Sequence, residues 1–323
     1  MQIRRLTYFD FSKLKRLVSY LCTDENDRLA KSIMEEPIGF INAILPLKFK
    51  FKSESFILVD NKEILGLITT IKTPGNPYKI NITRLIFKEN MYDVGQKLVE
   101  FVTNKLGSKG ATSFIVTVDE SHDELFNLFI NGCGFRHCAS EILWKGSSRQ
   151  IQKPSIRYRY AQDIDSKQIV DLYNSELINI YRTSLSRVDE EFKEPFFAGF
   201  SDYYKTRFVI EETKKILGYF SITTSDNSNY ILDITTNNAY NFDYNEIINA
   251  MLYEISKKNK NFYPIIKQKK YFKEADKLEQ FLKSNDYIPI QTHHILVKDY
   301  YKLVKQESNA WSVFILGENQ ISQ

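Results

Sequence analysis

Residues 56–66 (FILVDNKEILG) match residues 208–218 (FVIEETKKILG) at an offset of 152, with Phe, Lys, Ile, Leu and Gly identical in register. Three further matches follow in the same order at nearly the same offset. Ile3-Arg4 with Asp10 matches Ile156-Arg157 with Asp163, and Glu36-Pro37 with Gly39-Phe40 resembles Glu194-Pro195 with Gly199-Phe200. Phe129-Ile130 and Phe135 match Phe281-Leu282 and Tyr287. Four ordered matches indicate a duplicated unit of about 150 residues, which is the size of one ordinary domain. The polar stretch Gly146 to Ser155, closed by Pro154, reads as the linker. The expected domains are therefore 1–149 and 154–302, with a tail at 303–323 in which Trp311 to Leu316 forms an apolar stretch.

Both halves give the same order of elements. In the first, 3–8 reads as a strand, 10–21 as a helix with Phe11, Leu14, Leu17, Val18 and Leu21 on one face, and 55–71 as a hairpin across Asn61-Lys62. A strand at 80–88, a helix at 94–106, a buried strand at 114–118, a short helix at 123–131 and a last strand at 141–145 follow. The second half has strands near 156–160, 206–223 (a hairpin), 230–235, 262–267 and 293–298, with helices at 164–178, 245–258 and 275–284. Strands on both sides of one central helix, plus a hairpin, predict an α+β fold with a mixed sheet flanked by helices in each half.

Composition narrows the function. The chain carries 44 Lys/Arg against 40 Asp/Glu, which does not mark a dedicated nucleic-acid binder. A hydrophobic fraction of 43% supplies packed cores and argues against disorder. Three cysteines cannot all pair, which suits a reducing compartment. No signal-like or eighteen-residue apolar run is present, so the expectation is a cytoplasmic protein without a membrane span. Of the 12 glycines, nine fall before residue 150, so a glycine-rich phosphate loop is not expected in the second half.

The order of elements resembles the GNAT superfamily of N-acyltransferases, over residues 3–145 and 156–298. The stretch Ala111 to Asp119, then Leu125 to Phe129, Gly134-Phe135 and Leu143 to Lys145 is similar to the family's C-terminal part. Asn76-Pro-Tyr78, Tyr92 to Gly95 and Gly132 to Phe135 are similar to cyanobacterial two-domain GNAT proteins. The resemblance implies transfer of an acyl group, acetyl from acetyl-CoA above all, to an amine of a small molecule or protein. It places the pantetheine arm between two splayed strands, along Leu85, Ile86 and Phe87, and the pyrophosphate at the following helix, over Asn90, Asp93, Val94, Gly95 and Gln96. Of the family's phosphate motif only Gly95 is kept, with Asn90 and Asp93 at the other two positions. Asp93-Val-Gly-Gln96 also reads as a helix-capping box, so cap and phosphate loop both stand. In the second half Asp243 to Glu246 is a capping box in a glycine-free segment, which predicts no cofactor there.

The tyrosine that protonates the leaving thiolate in the family has Ile130 and Leu282 at its positions, so Tyr92 is the substitute candidate. Candidate bases are Glu89, Asp119 and Glu120, with Asp233 in the second half; burial at a strand end is expected to raise the Asp119 pKa. Cys133, His137 and Cys138 match no zinc spacing, so no metal is expected. His293 and His294 are adjacent on a strand and should face opposite ways. Lys267-Gln-Lys269-Lys270 is a basic cluster that suits RNA, an acidic protein or the phosphates of CoA, or only a solvated edge. A catalytically degenerate pair of domains serving as a binding or regulatory module is the alternative function.

Overall fold

The computed structural model describes residues 1–10, 13, 14, 17, 53–87, 90–146, 151–194, 204–224 and 226–300. Glu36 to Phe40, Pro195 to Phe200 and the 303–323 tail lie outside them, as do Lys88 and Glu89.

The strands are β1 (Gln2–Arg5), β2 (Glu54–Asp60), β3 (Glu63–Thr73), β4 (Asn76–Phe87), β5 (Ser113–Asp119) and β6 (Arg136–Lys145) in the first half. The second half holds β7 (Arg159–Tyr160), β8 (Tyr204–Glu212), β9 (Lys215–Thr224), β10 (Asn229–Thr236), β11 (Tyr263–Lys269) and β12 (Ile288–Asp299). The helices are α1 (Lys97–Ser108), α2 (Asp123–Asn127), α3 (Ser166–Glu176), α4 (Arg182–Leu185), α5 (Tyr244–Ser256) and α6 (Ala275–Ser284). This is the expected mixed α+β architecture, with boundaries mostly within three residues; β6 starts five residues earlier, β12 five residues earlier and β4 four residues earlier than read from sequence.

The twelve strands of the described residues form one sheet in the order β1-β2-β3-β4-β5-β12-β6-β11-β10-β9-β8-β7. Its centre is an exchange. β12 lies antiparallel between β5 and β6, and β6 lies antiparallel between β12 and β11. Each half therefore completes its sheet with the last strand of the other. The exchange leaves no free edge at the middle of the molecule, where two closed half-sheets would each have one.

The cores follow the sheet. Leu98, Val99, Val102 and Leu106 of α1 pack on Phe56, Ile68, Ile80 and Phe114. Ile247, Ile248, Met251 and Ile255 of α5 pack on Phe220, Leu232 and Ile266 in the same way. On the opposite face α3 covers the exchange, with Ile169, Leu172 and Tyr173 against Ile115, Ala139, Ile295 and Val297 from both halves.

The duplication is also written in one ion pair. Arg4 donates twice to the Asp10 carboxylate, both at 2.6 Å, and Asp10 also accepts from the Thr7 N–H at 3.0 Å. In the second half Arg159 donates to Asp165 at 2.7 and 2.9 Å, and Asp165 accepts from the Gln162 N–H at 2.8 Å. Strand register confirms the equivalence, since Arg4 faces Ile57 and Arg159 faces Val209. This corrects the sequence match, which aligned Arg4 and Asp10 with Arg157 and Asp163. A forked guanidinium–carboxylate pair pins the first strand to the turn that follows it in each half.

Candidate functional site

Strands β4 and β5 run parallel and pair from Lys79–Ser113 to Ile82–Val116. Beyond that point they part. β4 continues to Phe87 paired only with β3, and β5 continues to Asp119 paired only with β12. A bulge at Thr83, where Thr69 pairs with Arg84 and Thr70 with Ile82, turns β4 away at the point of divergence. Leu85, Ile86 and Phe87 lie half-buried along the edge that this opens.

The chain then enters one wide π turn, Met91–Gln96, which leads into α1. Asn90 sits before it in the left-handed region at φ 55°, and no side chain caps the turn. The capping box expected from Asp93 to Gln96 does not form. Asp93 lies inside the first turn, exposed, and reaches Lys97 at 3.4 Å. Gln96 bonds Glu100 at 2.7 Å and the Gly132 carbonyl at 3.0 Å. Among the described residues the leading N–H groups of the turn therefore have no side-chain acceptor, and the helix dipole favours an anion there. Gly95 and Val94 are buried. A Cβ on Gly95 would stand 3.1 Å from Leu128 and 3.4 Å from Phe87, so this glycine lets the turn pack against both. Gly66 does the same beneath it, where a Cβ would meet Val94 at 2.6 Å.

The second half has the same strands and a different ending. β10 and β11 pair to Asp233–Lys267 and then part, but Lys269 stitches the opening, bonding Asp233 at 2.5 Å and Thr235 at 2.9 Å. The helix after it is capped, because Asp243 accepts from the Asn245 N–H at 2.8 Å. The box expected over Asp243 to Glu246 is only half formed, because Glu246 accepts from the Ser155 N–H at 2.9 Å and hydroxyl at 2.7 Å instead of closing it, but the Asp243 carboxylate already occupies the place an anion would take.

Asp119 ends β5 at the mouth of the opening. Burial works to raise its pKa, but bonds from Gln291 and Ser121, with the charge of His293 at 3.9 Å, outweigh it and hold it at about 2. The expected rise is reversed, and Asp119 is an ionised, weak base at neutral pH. Asp233 is half-buried, yet Lys269 and Lys267 hold its carboxyl below the usual carboxylate range, so it too is no proton acceptor. Tyr92 is exposed on the π turn, beside the uncapped N–H groups. Ile130 is half-buried in the α1 core and Leu282 fully buried in the α5 core.

The histidines divide as expected. His294 packs on Phe126 at 5.2 Å and shares the Ser140 hydroxyl with His137, while His293 faces Asp119. Cys133 is buried in the α1 core and Cys138 in the α3 core, on opposite faces of the sheet. They cannot share a metal ion, and no metal-holding group of three or more His, Cys, Asp or Glu occurs among the described residues.

By sequence, no protein-family model matches the chain and no curated protein resembles it significantly. By structure, it is similar to a tandem GNAT protein from the clavulanic acid biosynthesis pathway, with 10% identity, a TM-score of 0.57, and coverage of 92% of this chain and 98% of that one. It is also similar to a GCN5-related N-acetyltransferase from Sphaerobacter thermophilus, with 11% identity, a TM-score of 0.59, and coverage of 92% and 95%. A GCN5-related N-acetyltransferase from Anabaena variabilis gives 12% identity, a TM-score of 0.50, and coverage of 92% and 72%. The chain has the tandem GNAT fold. No helix among the described residues is long and apolar enough to cross a membrane.

Proposed function

We propose that this tandem GNAT chain transfers an acyl group, acetyl above all, from acyl-CoA to an amine of a small molecule or protein, and does so in its first half. The observation that carries the reading is the contrast between the two central helices. The first begins uncapped at Asn90, beside an open strand edge, while the second is closed by Asp243. Residues that fit acyl-CoA are therefore gathered once. The freed edge of β4 at Leu85, Ile86 and Phe87 accepts an extended pantetheine chain as an added strand. The N–H groups of the π turn, over Asn90, Asp93, Val94, Gly95 and Gln96, take the pyrophosphate, and Lys97 offsets the Asp93 charge.

Acyl-CoA supplies an activated thioester carbonyl. An amine forms the new N–C bond as the C–S bond breaks, so one proton must leave the nitrogen and one must reach the sulfur. Glu89 is assigned the first, directly or through a water, and Tyr92 the second. Asp119, ionised at the mouth of the opening, attracts and orients a cationic acceptor.

Release of free thiol from acetyl-CoA, measured across a panel of amines, tests this reading. Thiol release above the hydrolysis blank with at least one amine, lost in Glu89→Gln, is the expected result. Tight acetyl-CoA binding with no transfer to any amine would favour a binding or regulatory module.

A further inference from the structure

The second half contains a cavity of about 140 Å³ on the face of the sheet that α3 covers. Strands β8 to β11 form its floor, and Tyr173, Arg187 and Phe192 close it from above. A buried water needs roughly 10–15 Å³ on this measure, so the space takes a group of several heavy atoms.

Its wall is cationic. Arg187, Lys205, Lys267 and Lys269 reach it, against one lining carboxylate, Asp233. Asp233 is already shared by Lys269 at 2.5 Å and Lys267 at 3.4 Å. Two carboxylates flank the wall, Glu141 at 3.8 Å from Lys267 and Glu191 at 3.8 Å from Arg187. Four cations against three carboxylates still leave one positive charge over. Lys205, an exposed residue whose side chain lines the cavity, is that charge: no hydrogen bond or ion pair joins it to another described residue, and Asp233 attracts it only at longer range. Burial and the nearby Arg187 and Arg207 push its pKa down, and burial with the crowding of Lys267 and Arg187 brings Lys269 to about 8. Like charges gathered along one wall repel one another, and an anion among them offsets that repulsion, most of all for the buried Lys269. Hydroxyls of Ser221, Thr223 and Thr235 stand in the same wall.

We infer that this cavity binds a small phosphate-bearing ligand, inorganic phosphate or a phosphomonoester, with Lys205, Lys267 and Arg187 taking its oxygens and the hydroxyls completing the shell. Several separate ammonium groups around a pocket suit a tetrahedral dianion better than a planar carboxylate, which a single guanidinium fork already satisfies. The site goes beyond the acyl-CoA reading, since it gives the second half a ligand of its own on the opposite face from the capped helix.

The test is calorimetric titration of inorganic phosphate and of glycerol phosphate into the full chain at low ionic strength, with acetate as the monoanion control. Both Lys205→Gln and Thr223→Asp are compared with the wild type. Thr223 lies opposite Lys205 in the strand register, so the new carboxylate supplies the missing anion from within. The expected results are saturable binding of phosphate or its monoester by the wild type, at least tenfold weaker binding in Lys205→Gln, and none in Thr223→Asp. Thr223→Asp should also melt higher than wild type without phosphate, which shows that it folds. Acetyl-CoA binding should be unchanged in both variants, so failure here is separable from failure of the acyl-CoA reading. Tighter binding of the monoester than of phosphate supports an organic ligand, and equal binding supports free phosphate. No saturable binding of either probe, acetate binding as well as phosphate, or wild-type binding in both variants would overturn the inference.

Discussion

Asp243 caps its helix by accepting the Asn245 N–H at 2.8 Å, and Asn90, which precedes the corresponding helix in the first half, caps nothing. The two positions begin the same element in two copies of one fold. Where Asp243 puts a carboxylate on the helix end, Asn90 leaves the N–H groups open, and this difference separates a closed copy from an open one.

Asp243→Ala should therefore cost about 1 kcal/mol of stability, the usual worth of an N-cap, and leave ligand binding in the first half untouched. Urea unfolding beside an acetyl-CoA titration checks both parts.

Gly66 and Gly107 should respond in opposite directions to alanine. A Cβ at Gly66 meets Val94 at 2.6 Å and the Ile86 carbonyl oxygen at 3.0 Å, so the helix must lift from the sheet. We expect a loss of about 1–3 kcal/mol, with weaker acyl-CoA binding because the π turn moves with the helix. Gly107 has nothing within 4 Å and sits in helical backbone, so its alanine variant should gain about 0.5–1 kcal/mol. Thermal unfolding of the two variants decides it.

The paired carboxylates set an acid limit. Arg4 pulls the Asp10 pKa to about 2, against burial, with help from Thr7. A lowered carboxylate pKa stabilises the fold above its unfolded value, near 4, and that share is lost as pH falls toward 2. For nearly buried Asp10 the share is about 2 kcal/mol. Asp10→Asn should lose it at pH 7 and differ little from wild type near pH 2, measured by urea unfolding at several pH values. Asp165, lowered in the same way by Arg159, should behave alike.

Breaking the stitch in the second half should be severe. Asp233→Asn leaves Lys267 and Lys269 without their shared carboxylate, which costs about 3 kcal/mol or more. Replacing Lys269 by Met in the same chain should recover part of the loss. Chemical unfolding of the single and double variants measures the coupling.

Periodicity and repetition made the elements legible. Hydrophobic spacing marks α1 and α5, and the matched FILVDNKEILG and FVIEETKKILG segments mark the two hairpins. Pairing partners were not legible, because a strand's pattern gives its buried face and not its neighbour; the exchange of β6 and β12 has no local signal. The misaligned ion pair has a similar cause. Arg157 and Arg159 both stand six residues before an aspartate, and a two-residue shift along a strand keeps the same face, so spacing cannot choose between them. Asp163 instead pairs with Arg207. The Asp119 pKa was misjudged because its partners Gln291 and His293 come from β12, some 170 residues away. Lys267 and Lys269 stand out in the sequence as a basic cluster, but Arg187 and Lys205 carry no local signal, and only the fold brings all four to one cavity.

The most direct test of the account is calorimetric titration of acetyl-CoA into wild type, Asn90→Asp and Asp243→Ala. Asn90→Asp keeps the left-handed geometry that Asn and Asp both tolerate, and adds the carboxylate that Asp243 provides in the second half. One site per chain is expected in wild type, with binding at least about tenfold weaker in Asn90→Asp through the introduced negative charge and unchanged in Asp243→Ala. No binding of acetyl-CoA or a longer acyl-CoA by wild type, or binding that survives Asn90→Asp and disappears in Asp243→Ala, would contradict it.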